Sequence, residues 1–118
     1  MEVALAEISN FTPLSEQTYF ILLSLASSSK HGYAIAKEVQ HLSDGRVVLS
    51  VSTLYTTLKR LLDDGWIRLM EKTPKKSQRP RKVYELTGLG GDVLRAEIQR
   101  LEGLVSVARK NIKAEGTI

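Results

Sequence analysis

The chain has 118 residues, 42% hydrophobic and 25% charged, the balance of a soluble globular protein with one modest core. It has no cysteine, which excludes disulfides, thiol nucleophiles and cysteine-ligated zinc or iron–sulfur sites, and no apolar run approaches the roughly 20 residues a membrane span needs. The formal net charge is only +4, so the clustering of cations, more than their sum, points to a polyanion partner.

The opening MEVALAEIS carries an acid where a signal peptide would be basic, so a cytoplasmic protein is expected. Residues 1–14 read as an N-terminal extension in which Val3, Leu5 and Ile8 suit a short amphipathic turn. Thr12-Pro13 reads as a helix start, with Thr as cap and Pro at the first position. The stretch that follows is apolar on nearly every side from Tyr19 to Ala26, which predicts a buried helix ended by Ser27–Ser29. In HGYAIAKEVQHLSDG, Ile35, Val39 and Leu42 form one stripe at helical spacing, and Ser43-Asp44-Gly45 is a turn. A third helix opens at a serine in SVSTLYTTLKRLLDDG. Leu54, Leu58, Leu61 and Leu62 face inward and Gly65 is its stop.

Two alternating segments, WIRLM and KVYEL, predict strands with Ile67 and Leu69 on one face and Tyr84 and Leu86 on one face. Between them KTPKKSQRPRK holds six cations and no acid, and its two prolines discourage edge pairing with another chain. That segment is the tip of a hairpin, with Lys75, Lys76, Arg79 and Arg81 as the residues expected on a phosphate backbone. A soluble charged loop is the plainer reading of such a run. Thr87 caps a last helix from about Leu89 to Lys113. The order predicts a mainly α protein with a small β-hairpin: a winged helix-turn-helix over residues 15–86, then a C-terminal dimerisation helix and tail over 87–118.

On a helical wheel Ser52, Thr53, Thr56 and Arg60 fall opposite the leucines of the third helix, with Lys59 beside them and Tyr55 on the shoulder. Short hydroxyls flanked by cations suit a helix entering a major groove, where Thr and Arg address base edges and phosphates accept from the rest. An ordinary solvated surface would carry Glu, Lys and Gln for helix propensity; Thr53, Thr56 and Thr57 are poor helix formers, so stability does not explain them. The last helix repeats apolar residues at Leu94, Ile98, Leu101, Val105, Ala108 and Ile112, a heptad seam. About 25 helical residues span about 40 Å, more than a small three-helix core covers. A homodimer is therefore expected, offering two recognition helices to a near-palindromic site in double-stranded DNA.

HGYAIAKEV, STLYTTLKRLLDDGWI and RKVYELTGLG together resemble the PadR family of bacterial transcriptional regulators over about residues 15–100, in the family's order and spacing. His31, Gly32 and Tyr33 match its His-Gly-Tyr, and Leu54 and Tyr55 its Leu-Tyr. Gly65, Trp66 and Ile67 match the end of its recognition helix, and Tyr84, Leu86, Thr87 and Gly90 the motif after the wing. Tyr33, at a helix start, joins the residues expected to contact DNA. Thr56 stands where the family often has Pro, which adds a candidate base contact. The resemblance implies a dimeric repressor of the smaller subfamily, released from its operator by a small-molecule or stress signal. A small hydrophobic effector is among the partners it implies. The aromatic residue that some members use for flat hydrophobic ligands is missing from the last helix, so no ligand site is carried over.

An enzyme is not expected. His31 and His41 lie ten residues apart and cannot share a metal at the helical spacing of four, and TGLGG lacks the spacing of a dinucleotide fingerprint. No catalytic residue, cofactor or metal is assigned. The second reading is a winged helix for protein or RNA contacts without operator recognition, since one fold serves many ends.

Overall fold

The computed structural model describes residues 5–72 and 81–112. The elements in order are α1 (Leu5–Ser9), α2 (Glu16–Ser27), β1 (Lys30–His31), α3 (Gly32–Leu42), α4 (Val51–Asp63), β2 (Ile67–Lys72), β3 (Arg81–Leu86) and α5 (Gly88–Asn111). No described helix is long and apolar enough to cross a membrane.

The first long helix starts later than Thr12-Pro13 suggests. The Thr12 hydroxyl donates to the Ser9 carbonyl (2.8 Å), so it closes α1 instead of opening α2. The cap is Ser15, whose hydroxyl accepts from the Thr18 amide at 3.1 Å. Beyond it Ile21, Leu22 and Leu25 are buried, and Ser24 is tolerated among them because its hydroxyl donates to Ile21 O at 2.7 Å.

The expected two-stranded hairpin is a three-stranded antiparallel sheet in the order β1-β3-β2. Lys30 pairs with Tyr84 and His31 with Val83. A two-residue strand has no alternation to read, so β1 leaves no periodic signal in the sequence. On its other edge β3 pairs with β2 from Ile67↔Leu86 out to Lys72↔Arg81. Ile67 is buried at the base of the sheet; two residues outward Tyr84 is buried while Leu69, its partner in register, is exposed.

Side chains at the helix ends account for much of the order. His31 Nδ1 accepts from Ala34 N at the start of α3 (3.3 Å). At the end of α4, Gly65 takes φ +78°, and the amides of Gly65 and Trp66 reach back to Leu62 O and Leu61 O, a Schellman stop. Thr87 opens α5 by accepting from Gly90 N at 3.0 Å, while its hydroxyl donates to Gly65 O at 2.7 Å.

One core gathers these elements: Ile8, Ile21, Leu22, Leu25, Ile35, Val39, Leu54, Leu58, Leu61, Trp66, Ile67, Tyr84, Val93 and Leu94. Trp66, just ahead of β2, is buried in this core with the Phe11 ring 5.5 Å from its own. Leu42, expected on the inward stripe of α3, stands exposed at that helix's last residue.

A buried acid ties α5 to the segment before α2. The Glu97 side chain is 3% exposed; Oε1 accepts from Arg100 Nε (2.7 Å), and Oε2 from Arg100 Nη2 (2.9 Å) and from the Leu14 amide (3.1 Å). The Arg100 bonds outweigh burial and, with the Leu14 amide, hold the Glu97 carboxyl below its ordinary 4.5. Its folded value is depressed, so its contribution to stability is complete above about pH 4.5 and is lost as pH falls through the lower folded value. Glu97→Gln is expected to lower stability at neutral pH by about 1–3 kcal/mol and to flatten the acid-side loss. Urea unfolding of both proteins from neutral pH down through the acid range measures this; parallel acid-side slopes would contradict it.

Candidate nucleic-acid interface

Rotation of α4 is set by its leucines. Leu54, Leu58 and Leu61 are buried, and the opposite side turns Ser52, Thr56 and Lys59 to solvent with Tyr55 at the shoulder. Ser50 caps the helix by accepting from Thr53 N at 3.1 Å and donates to the Thr53 hydroxyl at 2.9 Å. Thr53 is half-buried and engaged at the cap, so of the predicted readers it is the one drawn furthest from the outer face. Arg60 is also engaged: Nη2 donates to the Thr18 hydroxyl at 2.7 Å, joining α4 to the first turn of α2. Lys59 pairs with Asp63 one turn on, at 3.1 Å, with both side chains largely in water. Such an exposed pair is worth little and leaves the cation free to exchange partners. It also gives a role to Asp63, which otherwise sits unfavourably at the negative end of the helix.

Tyr33 lies beside this face at the second position of α3, 68% exposed, with Lys37 Nζ 5.5 Å from its ring centroid. The glycine before it leaves room for the Tyr55 ring. A Cβ on Gly32 would stand 2.5 Å from the Tyr55 hydroxyl and 3.0 Å from the carbon bearing it. The His-Gly-Tyr and Leu-Tyr motifs are thus two sides of one contact. Burial, with Tyr55 as a lesser cause, raises the Tyr84 phenol above its ordinary value, so it stays neutral and protonated.

The wing cations Lys75, Lys76 and Arg79 lie outside the described residues, and for Arg81 only its backbone place as the first residue of β3 is described. β2 and β3 remain paired out to Lys72↔Arg81, and Lys82 on β3 is exposed. Sequence reasoning missed Val48 and Val51, which are 66% and 75% exposed next to Ser52. By spacing Val51 continues the stripe of Leu54, Leu58 and Leu61, so the sequence places it with the inward leucines and only the structure shows it exposed.

The seam of α5 divides. Leu94 is buried in the chain's own core and Ile98 is half-buried, so Leu94 serves the fold and is removed from the expected interface. From Leu101 to Asn111 every residue is exposed, including Leu101, Val105 and Ala108 of the seam and Leu104 and Val107 beside it, while Ile112 is half-buried at the C-cap. Tyr19, Ile98, Leu101 and Val105 line an open groove of about 590 Å³ along this half. Among the described residues no cluster of His, Cys, Asp and Glu could hold a metal.

The profile of the Transcriptional regulator PadR-like family matches residues 21–96. No curated protein matches the sequence. Among solved structures, a PadR family transcription regulator from Clostridium difficile R20291 is similar at TM-score 0.69 and 27% identity, over 81% of this chain and 97% of that one. A transcriptional regulator from Clostridium thermocellum is similar at TM-score 0.65 and 26% identity, over 81% and 92%. Bacillus subtilis PadR, solved in complex with operator DNA, is similar at TM-score 0.58 and 27% identity, over 66% of this chain and 44% of that one.

Gly32→Ala is expected to cost about 1–3 kcal/mol of stability by overpacking against Tyr55. Adding Tyr55→Phe, which deletes the nearest oxygen, is expected to recover part of the loss. Denaturant unfolding of the two single variants and the double variant checks this; strictly additive effects would contradict the contact.

Proposed function

The chain belongs to the PadR-like family of transcriptional regulators, and from that premise we propose that it is a sequence-specific repressor that binds a near-palindromic operator in double-stranded DNA as a homodimer and leaves it on a small-molecule or stress signal. The observation that carries the reading is the outer face of α4. Its leucines are committed to the core, while Ser52, Thr56, Lys59 and Tyr55 stand exposed beside Tyr33. Hydroxyls and a cation on one helix face match the donors and acceptors of base edges and phosphates. The likeness to B. subtilis PadR, a protein solved with operator DNA, supports the same use of the fold.

Residues 15–86 form the DNA-binding unit in this reading, with Ser52, Tyr55 and Thr56 as readers. Lys59, the Tyr33 hydroxyl and the cations of the 72–82 segment are the backbone anchors. Thr53 and Arg60 contribute by placing the helix, and Arg60 reaches DNA only by exchanging its Thr18 bond. The exposed half of α5, from Leu101 to Asn111, is the dimer face together with the half-buried Ile98 and Ile112. Burying an apolar strip of this kind is the usual driving force for obligate pairing.

Gel-shift titrations across a salt series on duplexes selected from a random pool test the division of labour. Lys75→Ala with Lys76→Ala is expected to weaken binding to all duplexes and to flatten the logarithmic salt slope by about 0.9 for each phosphate no longer neutralised. Thr56→Ala is expected to change sequence preference, at about 1–3 kcal/mol for the base it no longer reads. If both variants lower affinity without altering preference, reader and anchor are not separate. Sedimentation is expected to give a dimer for the natural sequence and a monomer for Val105→Glu; a natural monomer would remove the dimer.

A further inference from the structure

Val51 is the most exposed large hydrophobic side chain among the described residues, at 75%. Local structure gives no reason for it: valine is a poorer helix former than alanine, and Ser50 already caps the turn. Val51 and Val48 line one groove of about 450 Å³ with Tyr33, Lys37, Gln40 and Tyr55, between α3 and the N-terminal end of α4. No acidic side chain lines it, Lys37 stands against the Tyr33 ring, and the start of α4 adds the positive end of a helix dipole.

Those surroundings select the occupant. A contiguous apolar surface in water favours being covered, and a lining whose one charged side chain is Lys37 favours a polyanion over an apolar protein face. Two of its lining residues, Val51 and Tyr55, are the chain neighbours of the exposed Ser52 and Thr56. The major groove of duplex DNA offers the matching chemistry, because between its phosphate rows it presents the C5 methyl of thymine, its one apolar mark.

We propose that Val51, flanked by Val48, reads a thymine methyl group, so that the preferred site carries a thymine that uracil replaces only with a loss of affinity. The proposal rests on the duplex-binding reading above and names the feature that α4's first turn recognises.

The test uses the full-length protein and the duplex it selects from a random pool, resynthesised with each thymine in turn replaced by deoxyuridine. That exchange deletes one methyl group and leaves the pairing edge intact. At one or more thymines the natural protein is expected to lose about fourfold in affinity, the worth of one buried carbon. Val51→Ser, at an exposed position, is expected to keep its unfolding curve and to bind the thymine and uracil duplexes equally. Equal binding of both duplexes by the natural protein overturns the proposal and leaves duplex recognition standing. So does a thymine preference that survives Val51→Ser, since DNA shape would then carry it. Val51→Ser binding indistinguishable from the natural protein on every duplex also overturns it, and would leave the groove to a protein partner. A natural protein that binds no duplex at low ionic strength overturns the proposed function and this inference together.

Discussion

How α3 and α4 meet decides what the outer face of α4 can present. The stripe of Leu54, Leu58 and Leu61 fixes the rotation of α4, because a turn by one residue, about 100°, would carry those leucines into water. Gly32 fixes the approach, because the Tyr55 hydroxyl occupies the space a side chain would need. Together they leave one solution, in which Ser52, Thr56 and Lys59 look outward and Tyr33 stands at their side. The hydrogen bond from Arg60 to Thr18 holds the same helix against α2.

A second junction joins that unit to the long helix. The end of α4, the start of β2 and the first turn of α5 meet at Gly65 and Trp66. Thr87 bonds both of their carbonyls, through its hydroxyl and its amide. Gly90 packs so tightly on the Trp66 carbonyl that an added Cβ would overlap it. Further along, Glu97 bonds the Leu14 amide ahead of α2. The first half of α5 is therefore part of the body that positions α4, and only its second half is left for another surface to cover.

Elements with a strong period or a capping residue were legible in the sequence. The leucines of α4, its Ser50 cap, its stop at Gly65 and the Thr87 start of α5 follow from rules about spacing and backbone hydrogen bonding. What was not legible depends on partners distant in the chain. Thr12 looks like a cap until Ser9 takes its hydroxyl; β1 is too short to alternate; Leu94 fits a heptad seam but is claimed by the core. Arg60 and Thr53 sit on the polar side of the wheel, yet Thr18 and Ser50 engage them. The exposure of Val51 needed coordinates, since a valine beside an apolar stripe reads as part of it.

The central claim is that the outer face of α4 is the surface that meets the double helix. Because the chain has no cysteine, one introduced as Thr56→Cys is a unique attachment point for an iron chelate that cleaves nearby DNA. Strand cleavage focused within the selected site is expected from position 56. Little or none is expected when the chelate is carried instead by Glu102→Cys, on the exposed half of α5. Focused cleavage from position 102 with none from position 56 would contradict the claim directly.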